Sequence, residues 1–475
     1  MSFIKISLFL VALVFFTGCA AKQTQTDKQN HTTEPGLPES RPLEKEFASY
    51  KATSKQSGEF PESQKLIQPT GSITLSQALS LALMKNPELA AFSWEVRAEE
   101  AKTLQAGLFP NPKLEIETEN LGGSGDLQGF DSTESTIQLS QLIELGGKRS
   151  KRERVTALSR DLAWWDYETK RLDVLTNVTK AFIDVLAAQE RLSLNKELMR
   201  LAELVLDTVS ERVKAGKVSP VEKTKAGVAL SMTRIKWQRA KREMESTLKR
   251  LASSWGSSSP VFKEVEGTLD NIPSIQSFEQ LVGYISKNPD IARWAAEMEK
   301  RRATVAFEDS KKIPNLTLSG GIRHFNNTSD NAFVLGASVP IPLFNHNQGS
   351  SMEARHKLAK AKKEKNASEL RVRTSLVVAY QTLSTAHGEA LKLRNDILPG
   401  AGKAFDAVKE GFRFGKFSFL NVLDSQRTLF EAKSQYIEAL TAFHKAVADM
   451  ERLTGKGVEE INKNTKEPEL KGDVQ

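Results

Sequence analysis

Apolar and polar residues alternate along two short stretches of this chain. Over 112–120, Leu114 and Ile116 alternate with Glu115, Glu117 and Glu119; over 134–145, Ile137 and Leu139 alternate with Gln138 and Ser140. A period of two predicts strands with one apolar and one polar face. After Gly146-Gly147 the period lengthens. Leu158, Leu162, Trp165, Leu172, Leu175, Phe182 and Leu186 recur three, four or seven residues apart, the near-heptad stripe of a long helix. Neither Gly nor Pro interrupts 148–214. One helix of about 67 residues is expected, ~100 Å long at 1.5 Å per residue. Ala215-Gly216-Lys217 stops it, and a helix over 219–252 follows, with Pro220 in its first turn.

The same order of signals then recurs. Thr74 N-caps a helix over 74–108 that Asn86-Pro87 breaks and restarts. Asn288-Pro289 lies 202 residues after Asn86-Pro87, Leu316 lies 202 after Leu114, and Gly415 lies 199 after Gly216. A near-constant displacement marks a duplicated unit. The second copy predicts a helix over 277–309, strands over 314–325 and 332–343, a long helix over 349–414 and a helix over 418–455. In the last of these, Leu423, Phe430 and Ile437 fall seven apart. The expected organisation is a first repeat over 73–253, a linker over 254–276, a second repeat over 277–456 and a disordered tail over 457–475. Within each repeat the two shorter helices together match the long one, so they can stack end to end along it, with the linker where they meet.

Residues 1–19 combine Lys5 with an apolar run from Leu8 to Phe16 and small residues before Cys19. This is a secretory signal. Cys19 is the only cysteine, so no intramolecular disulfide can form. It is either a lone thiol in a cleaved signal or the lipidated cysteine of a lipobox, and the lipobox reading is favoured. Ala20 after it, in place of Asp, favours an outer-membrane address. Residues 20–72 are polar and proline-rich, an extended tether. The net charge is +8 and the mean hydropathy −0.39. Export makes nucleic acid an unsuitable partner for the basic excess, and anionic lipid headgroups a suitable one. No later run of about 18 apolar residues exists, so no helix there spans a bilayer.

The strands have the length of tilted membrane strands. Four of them leave open edges, each costing unpaired backbone groups in lipid. Eight strands from two chains would fill with their own side chains, whereas twelve from three chains leave a lumen. In that arrangement Leu114, Ile116, Ile137, Leu139, Leu316, Leu318, Phe333 and Leu335 face lipid. Glu115, Glu117, Glu119, Gln138, Thr317 and Ser338 face water, the three glutamates lining the pore. A soluble four-stranded sheet with one wet face is the alternative. Gly216-Lys217 and Gly415-Lys416 end the long helices far from the sheet, where a partner protein can reach them.

Three motifs carry a resemblance: Gln141-Leu-Ile-Glu-Leu-Gly-Gly-Lys-Arg149, Pro340-Ile-Pro-Leu-Phe-Asn-His-Asn-Gln-Gly349, and Phe412-Arg-Phe-Gly415 with Ser418 and Asn421-Val-Leu423. In this order over 74–456 the chain resembles the TolC-like outer-membrane efflux family. The resemblance implies a mainly α fold with a membrane β-barrel. Long antiparallel helical hairpins form a periplasmic α-barrel, and four strands per chain complete a 12-stranded barrel in a homotrimer. It implies a periplasmic adaptor and an inner-membrane RND pump as partners. The Glu-Leu-Gly-Gly-Lys-Arg form is similar to components of cobalt–zinc–cadmium efflux systems, although drug exporters share much of it. The family also implies an acidic periplasmic gate, which would fall on Asp424, with Asn421 in place of a second aspartate.

Lys148, Arg149, Lys151, Arg152 and Arg154 crowd a helix N-terminus, against its dipole. An external anion is the expected compensation, and Lys148 and Arg149 are candidates to touch lipid headgroups. The scattered histidines show no metal-ligand spacing, and no nucleophile or phosphate-binding motif appears, so neither a cofactor nor catalysis is expected. The leading function is a passive exit duct of a tripartite pump. A duct for protein secretion and a non-conducting coiled-coil lipoprotein are the alternatives.

Overall fold

The computed structural model describes residues 70–455. The signal, the lipobox Cys19, nearly all of the tether and the tail over 457–475 lie outside the described residues.

The first repeat opens with β1 (Gly71–Thr74), α1 (Leu75–Lys85) and α2 (Pro87–Ala106). Strands β2 (Lys113–Glu119) and β3 (Glu134–Ile143) follow, then the long α3 (Lys148–Lys214) and α4 (Pro220–Ser253). The expected 67-residue helix is uninterrupted, and Leu158, Leu162, Phe182 and Leu186 of its stripe are buried. Thr74 caps α1 in a reciprocal capping box with Gln77.

The linker is more than a linker. β4 (Phe262–Glu266) pairs in parallel with β1, Ile73 opposite Val265. Gly71 and Ser72, expected in the tether, belong to this pair. Around it lies the largest core, where Ile73, Val178, Val185, Leu251, Phe262 and Val265 are buried.

The second repeat contains α5 (Phe278–Val282), α6 (Pro289–Ser310), β5 (Leu316–Phe325), β6 (Asp330–Ser338), α7 (Gln348–Lys392), α8 (Leu398–Arg413) and α9 (Phe419–Thr454). Three expectations are corrected. The helix over 277–309 is α5 and α6 separated by a 3₁₀ turn at Ile285–Lys287. The long helix over 349–414 carries a π-turn at Leu393–Ile397. Pro399 follows it, and a proline lacks the N–H and the room that a regular turn needs. Strand β6 ends at Ser338 rather than at 343, because its partner begins at Leu316 and residues past 339 have no strand beside them in the chain.

The repeated Asn-Pro has a structural reason. Asn86 Oδ1 accepts from Leu89 N at 2.9 Å, capping α2, while its Nδ2 donates to Ser254 O at the end of α4 at 2.7 Å. Asn288 does the same for α6 and α9, accepting from Asp290 N at 2.8 Å and donating to Leu453 O at 2.9 Å. Each Asn thus couples the head of one short helix to the tail of the other, with Pro at the first helical position. The short helices α2 and α4, and likewise α6 and α9, meet end to end; α1, counted in the expected match of lengths, precedes the junction at Asn86. Among the described residues, no helix is long and apolar enough to cross a membrane.

Candidate functional site

The four long strands form one antiparallel sheet in the order β2-β3-β5-β6. Its register decides which residues share a face. Leu114 lies opposite Leu139 and Ile116 opposite Ile137. Ile137 then meets Ile322, which meets Phe333 in the next strand. Gly320, opposite Leu139, meets Leu335. On the other face Glu115 lies opposite Gln138, and Thr317 opposite Ser338. All expected apolar and polar positions therefore segregate to opposite faces. Leu114, Ile116, Phe333 and Leu335 are largely exposed in the single chain, so this sheet presents an apolar face to its surroundings. Strands β2 and β6 have open outer edges.

The polar face is acidic and partly self-neutralised. Glu115 accepts from Gln138 Nε2 at 3.0 Å. Glu117 lies opposite Thr136. Arg323, which the sequence reading missed, reaches Glu119 and Glu134, both at 2.9 Å. An arginine amid strand β5 was visible, but only the register reveals the two carboxylates beside it.

Below the sheet, the basic cluster forms a collar. Arg152 grips Glu144 through two hydrogen bonds of 2.6 and 3.1 Å, and its Nε donates to Ala106 O at 2.9 Å. Arg149 donates to Gly107 O at 3.0 Å and covers the Phe109 ring at 4.0 Å. Lys151 donates to Gly146 O at 3.0 Å. Lys148 is buried and donates to Asn315 Oδ1. Lys148 is thus turned inward, and Arg149 is half-buried against the end of α2. Their compensation is internal: carbonyls at the C-terminal end of α2, a carboxylate and an amide. The carbonyl end of one helix dipole offsets the cations at the start of another. Hydrogen bonds from Arg152 hold the Glu144 carboxyl below its usual range, and burial lowers the Lys148 ammonium.

At the opposite end, both long helices finish in the same motif. Gly216 and Gly415 are left-handed, at φ 70° and 76°. Lys217 N donates to Arg212 O at 2.9 Å and Gly216 N to Val213 O at 3.0 Å. Lys416 N donates to Gly411 O at 2.8 Å and Gly415 N to Phe412 O at 3.0 Å. These are paired Schellman turns. The two tips adjoin, because Arg212 of the first donates to Phe412 O of the second at 3.3 Å and lies over its ring at 4.6 Å. Beneath them Val209, Ala226, Phe405, Phe412, Phe419 and Val422 form a small core. The second tip also exposes Phe414, Phe417 and Leu420, an apolar surface that the sequence reading did not single out.

Asn421 is engaged locally, its side chain completing a capping box with Ser418. Asp424 is exposed and 3.6 Å from Arg427. No group of three metal-ligating side chains occurs among the described residues.

Comparison with known proteins agrees with this architecture. The Outer membrane efflux protein family matches residues 78–257 and 284–456. The cobalt-zinc-cadmium resistance protein CzcC of Cupriavidus metallidurans is 36% identical over 81% of this chain and 91% of its own length. The pyoverdine export outer membrane protein OpmQ of Pseudomonas aeruginosa is 25% identical over 82% of this chain and 86% of its own. The outer membrane protein VceC of Vibrio cholerae superposes with a TM-score of 0.68 at 14% identity, over 81% of this chain and 96% of that structure. With segregated sheet faces, paired helix tips and a match spanning both repeats, the chain belongs to the outer membrane efflux protein family.

Proposed function

We propose that this chain is the passive exit duct of a tripartite heavy-metal efflux pump. Three copies close their strands into a 12-stranded outer-membrane barrel, and their helices form a periplasmic α-barrel. Cobalt, zinc and cadmium ions are the proposed cargo. The observation that carries the cargo is the 36% identity to a cobalt-zinc-cadmium resistance protein along nearly its whole length. The segregated faces and the two open sheet edges support the barrel, since an edge left open in lipid costs several kcal/mol per unpaired group. A non-conducting lipoprotein would have no use for such a sheet.

In this reading Glu115, Glu117 and Glu119 line a cation-attracting lumen. Gly216-Lys217, Gly415-Lys416 and the exposed Phe414 and Phe417 form the surface that a periplasmic adaptor grips, with an inner-membrane RND pump behind it. Asp424 lines the narrow periplasmic end, and Cys19 carries the lipid.

Deleting the gene in its host and measuring growth against cobalt, zinc and cadmium salts tests the cargo. Sensitisation to these metals, restored by the intact gene, is expected. Unchanged metal tolerance with new sensitivity to organic toxins would reassign the cargo. Purified protein in planar bilayers tests the duct, and absence of any conductance would refute it.

A further inference from the structure

Charge is unevenly spread over the polar face of the four-stranded sheet. The register sorts this face into rows that cross the strands. Nearest the helices, Thr317 lies between Leu142 and Ser338, and Lys113 lies opposite Ser140. Next comes Glu115 with Gln138 and Gly321, then Glu117 with Thr136 and Arg323. The row farthest from the helices holds Glu119, Glu134, Phe325 and Asp330. The carboxylates thus gather at the outer end, where the chain turns back through 120–133. Duplication did not carry the acids of β2 into β5. The displacement of 202 that takes Leu114 to Leu316 takes Glu115, Glu117 and Glu119 to Thr317, Ser319 and Gly321. Two residues further on, the second repeat places Arg323 in the acidic end instead.

Arg323 begins one row short of the carboxylates that it holds. It lies opposite Thr136, and its Nε donates to Thr136 Oγ1 at 2.9 Å. Its two terminal nitrogens lean outward to Glu134 on the neighbouring strand and to Glu119 one strand beyond, both at 2.9 Å. One guanidinium therefore ties β5 to β3 and β2, with all three nitrogens engaged. Glu119 and Glu134 are themselves direct partners in the β2–β3 ladder. Such partners have Cβ atoms about 4.5–5.5 Å apart. Two carboxylates at that spacing repel each other, and together they are half of a chelate. Zinc, for example, takes carboxylate oxygens at about 2.0–2.2 Å, so both side chains can close on one divalent ion. The guanidinium fork fills that place. Glu117 and Asp330, in the same two rows, make no ion pair among the described residues.

We propose that Arg323 keeps the outer mouth of the duct from trapping the divalent cations that leave through it. This rests on the cation duct described above. An exit must attract its cargo and also release it, so attraction has to stay weak at each position. Glu117 and Asp330 supply single, separated charges. The pair that would bind tightly, Glu119 with Glu134, is occupied from within the chain. Arg323 therefore determines how a divalent ion passes this end, and without it the same carboxylates hold the ion.

Planar-bilayer currents of the full-length protein in potassium chloride, with cadmium chloride added on the side of the 120–133 loop, test this. Wild type should conduct with little block. Arg323→Gln should lower the half-blocking cadmium concentration about tenfold or more, because affinity follows the charge of the ligand set. It should also move the reversal potential in a potassium chloride gradient towards cations. Arg323→Lys puts a point charge where the fork stood and should fall between the two. Arg323→Gln with Glu119→Gln restores the net charge of the row but leaves one carboxylate, and it should conduct without the block. That variant separates chelation from the general field of the mouth. A wild-type cadmium response in Arg323→Gln would overturn the role of Arg323, as would block retained in the double variant. Should Arg323→Gln fail to assemble, Arg323→Lys decides, and a wild-type response there would overturn the role. Each of these failures leaves a conducting duct standing. Absence of current from wild type itself would overturn the duct and the role of Arg323 with it.

Discussion

Replacing Gly415 separates what the helix tip costs from what it does. At φ 76° an added Cβ meets only Arg212 Nη2, at 4.0 Å. No tertiary clash arises, so the penalty is that of a left-handed L-residue, about 1–2 kcal/mol, largest for a β-branched side chain. Gly415→Val should then cost about 2 kcal/mol and Gly415→Asn about 1 kcal/mol or less. Two kcal/mol is roughly a thirtyfold shift in a local opening equilibrium. Hydrogen exchange followed by mass spectrometry over 409–420 reads it directly. Valine should raise exchange there by that order and asparagine severalfold at most, with barrel strands unaffected. Gly411 is the control. It is helical, but an added Cβ would lie 2.3 Å from the Phe417 ring. Gly411→Ala should therefore be rescued by Phe417→Ala, whereas Gly415→Val should not. Equal effects of Val and Asn at 415, or rescue of Gly415→Val by Phe417→Ala, would refute the backbone argument. Efflux assays on the same strains then show whether the tip couples to the pump. Gly216→Val carries the same backbone cost at φ 70° with nothing within 4 Å of the added Cβ, so an efflux difference between the two sites reports docking and not strain.

Other outcomes follow from the geometry. Asn288→Ala removes the cap of α6 and the donor to Leu453 O; it should cost about 2–3 kcal/mol by thermal denaturation, and a loss below 0.5 kcal/mol would contradict the coupling role. Leu139→Arg, on the apolar face, should cost about 2–4 kcal/mol in the barrel, while Gln138→Arg, on the polar face, should assemble normally and shift ion selectivity; equal tolerance in an assembly assay would sink the face assignment. Glu144→Gln should lose about 1–2 kcal/mol at neutral pH. The Glu144 carboxyl is held below its ordinary 4.5 by Arg152, so its contribution is complete above pH 4.5 and disappears as the pH falls through the lowered value. Variant and wild type should converge in acid, and a constant difference down to pH 2 would remove the ion pair as the cause.

The outer-membrane location with a periplasmic helical part is where the family and the chain's own helices and sheet agree. Much of that architecture is written locally. Period-two stretches, an unbroken near-heptad run and a glycine at each tip are properties of neighbouring residues, so they fix strands, the 148–214 helix and both reversals without reference to the rest of the chain. The duplication, too, needs only counting. What sequence left open depended on partners distant along the chain. Phe262–Glu266 is a strand because Gly71–Thr74 lies beside it, and neither segment is long enough to declare itself. The basic run at 148–154 looked in need of an external anion, because the Gly107 and Ala106 carbonyls that Arg149 and Arg152 reach lie 42 and 46 residues away in the chain and become neighbours only when the sheet turns back. Arg323 acquires Glu119 and Glu134 only through register. Strand β6 stops short of its pattern because, within one chain, the alternation at 339–343 has nothing to pair with. Local periodicity specifies which face a residue takes; only tertiary structure specifies what stands across from it, because backbone pairing and charge compensation belong to two segments at once.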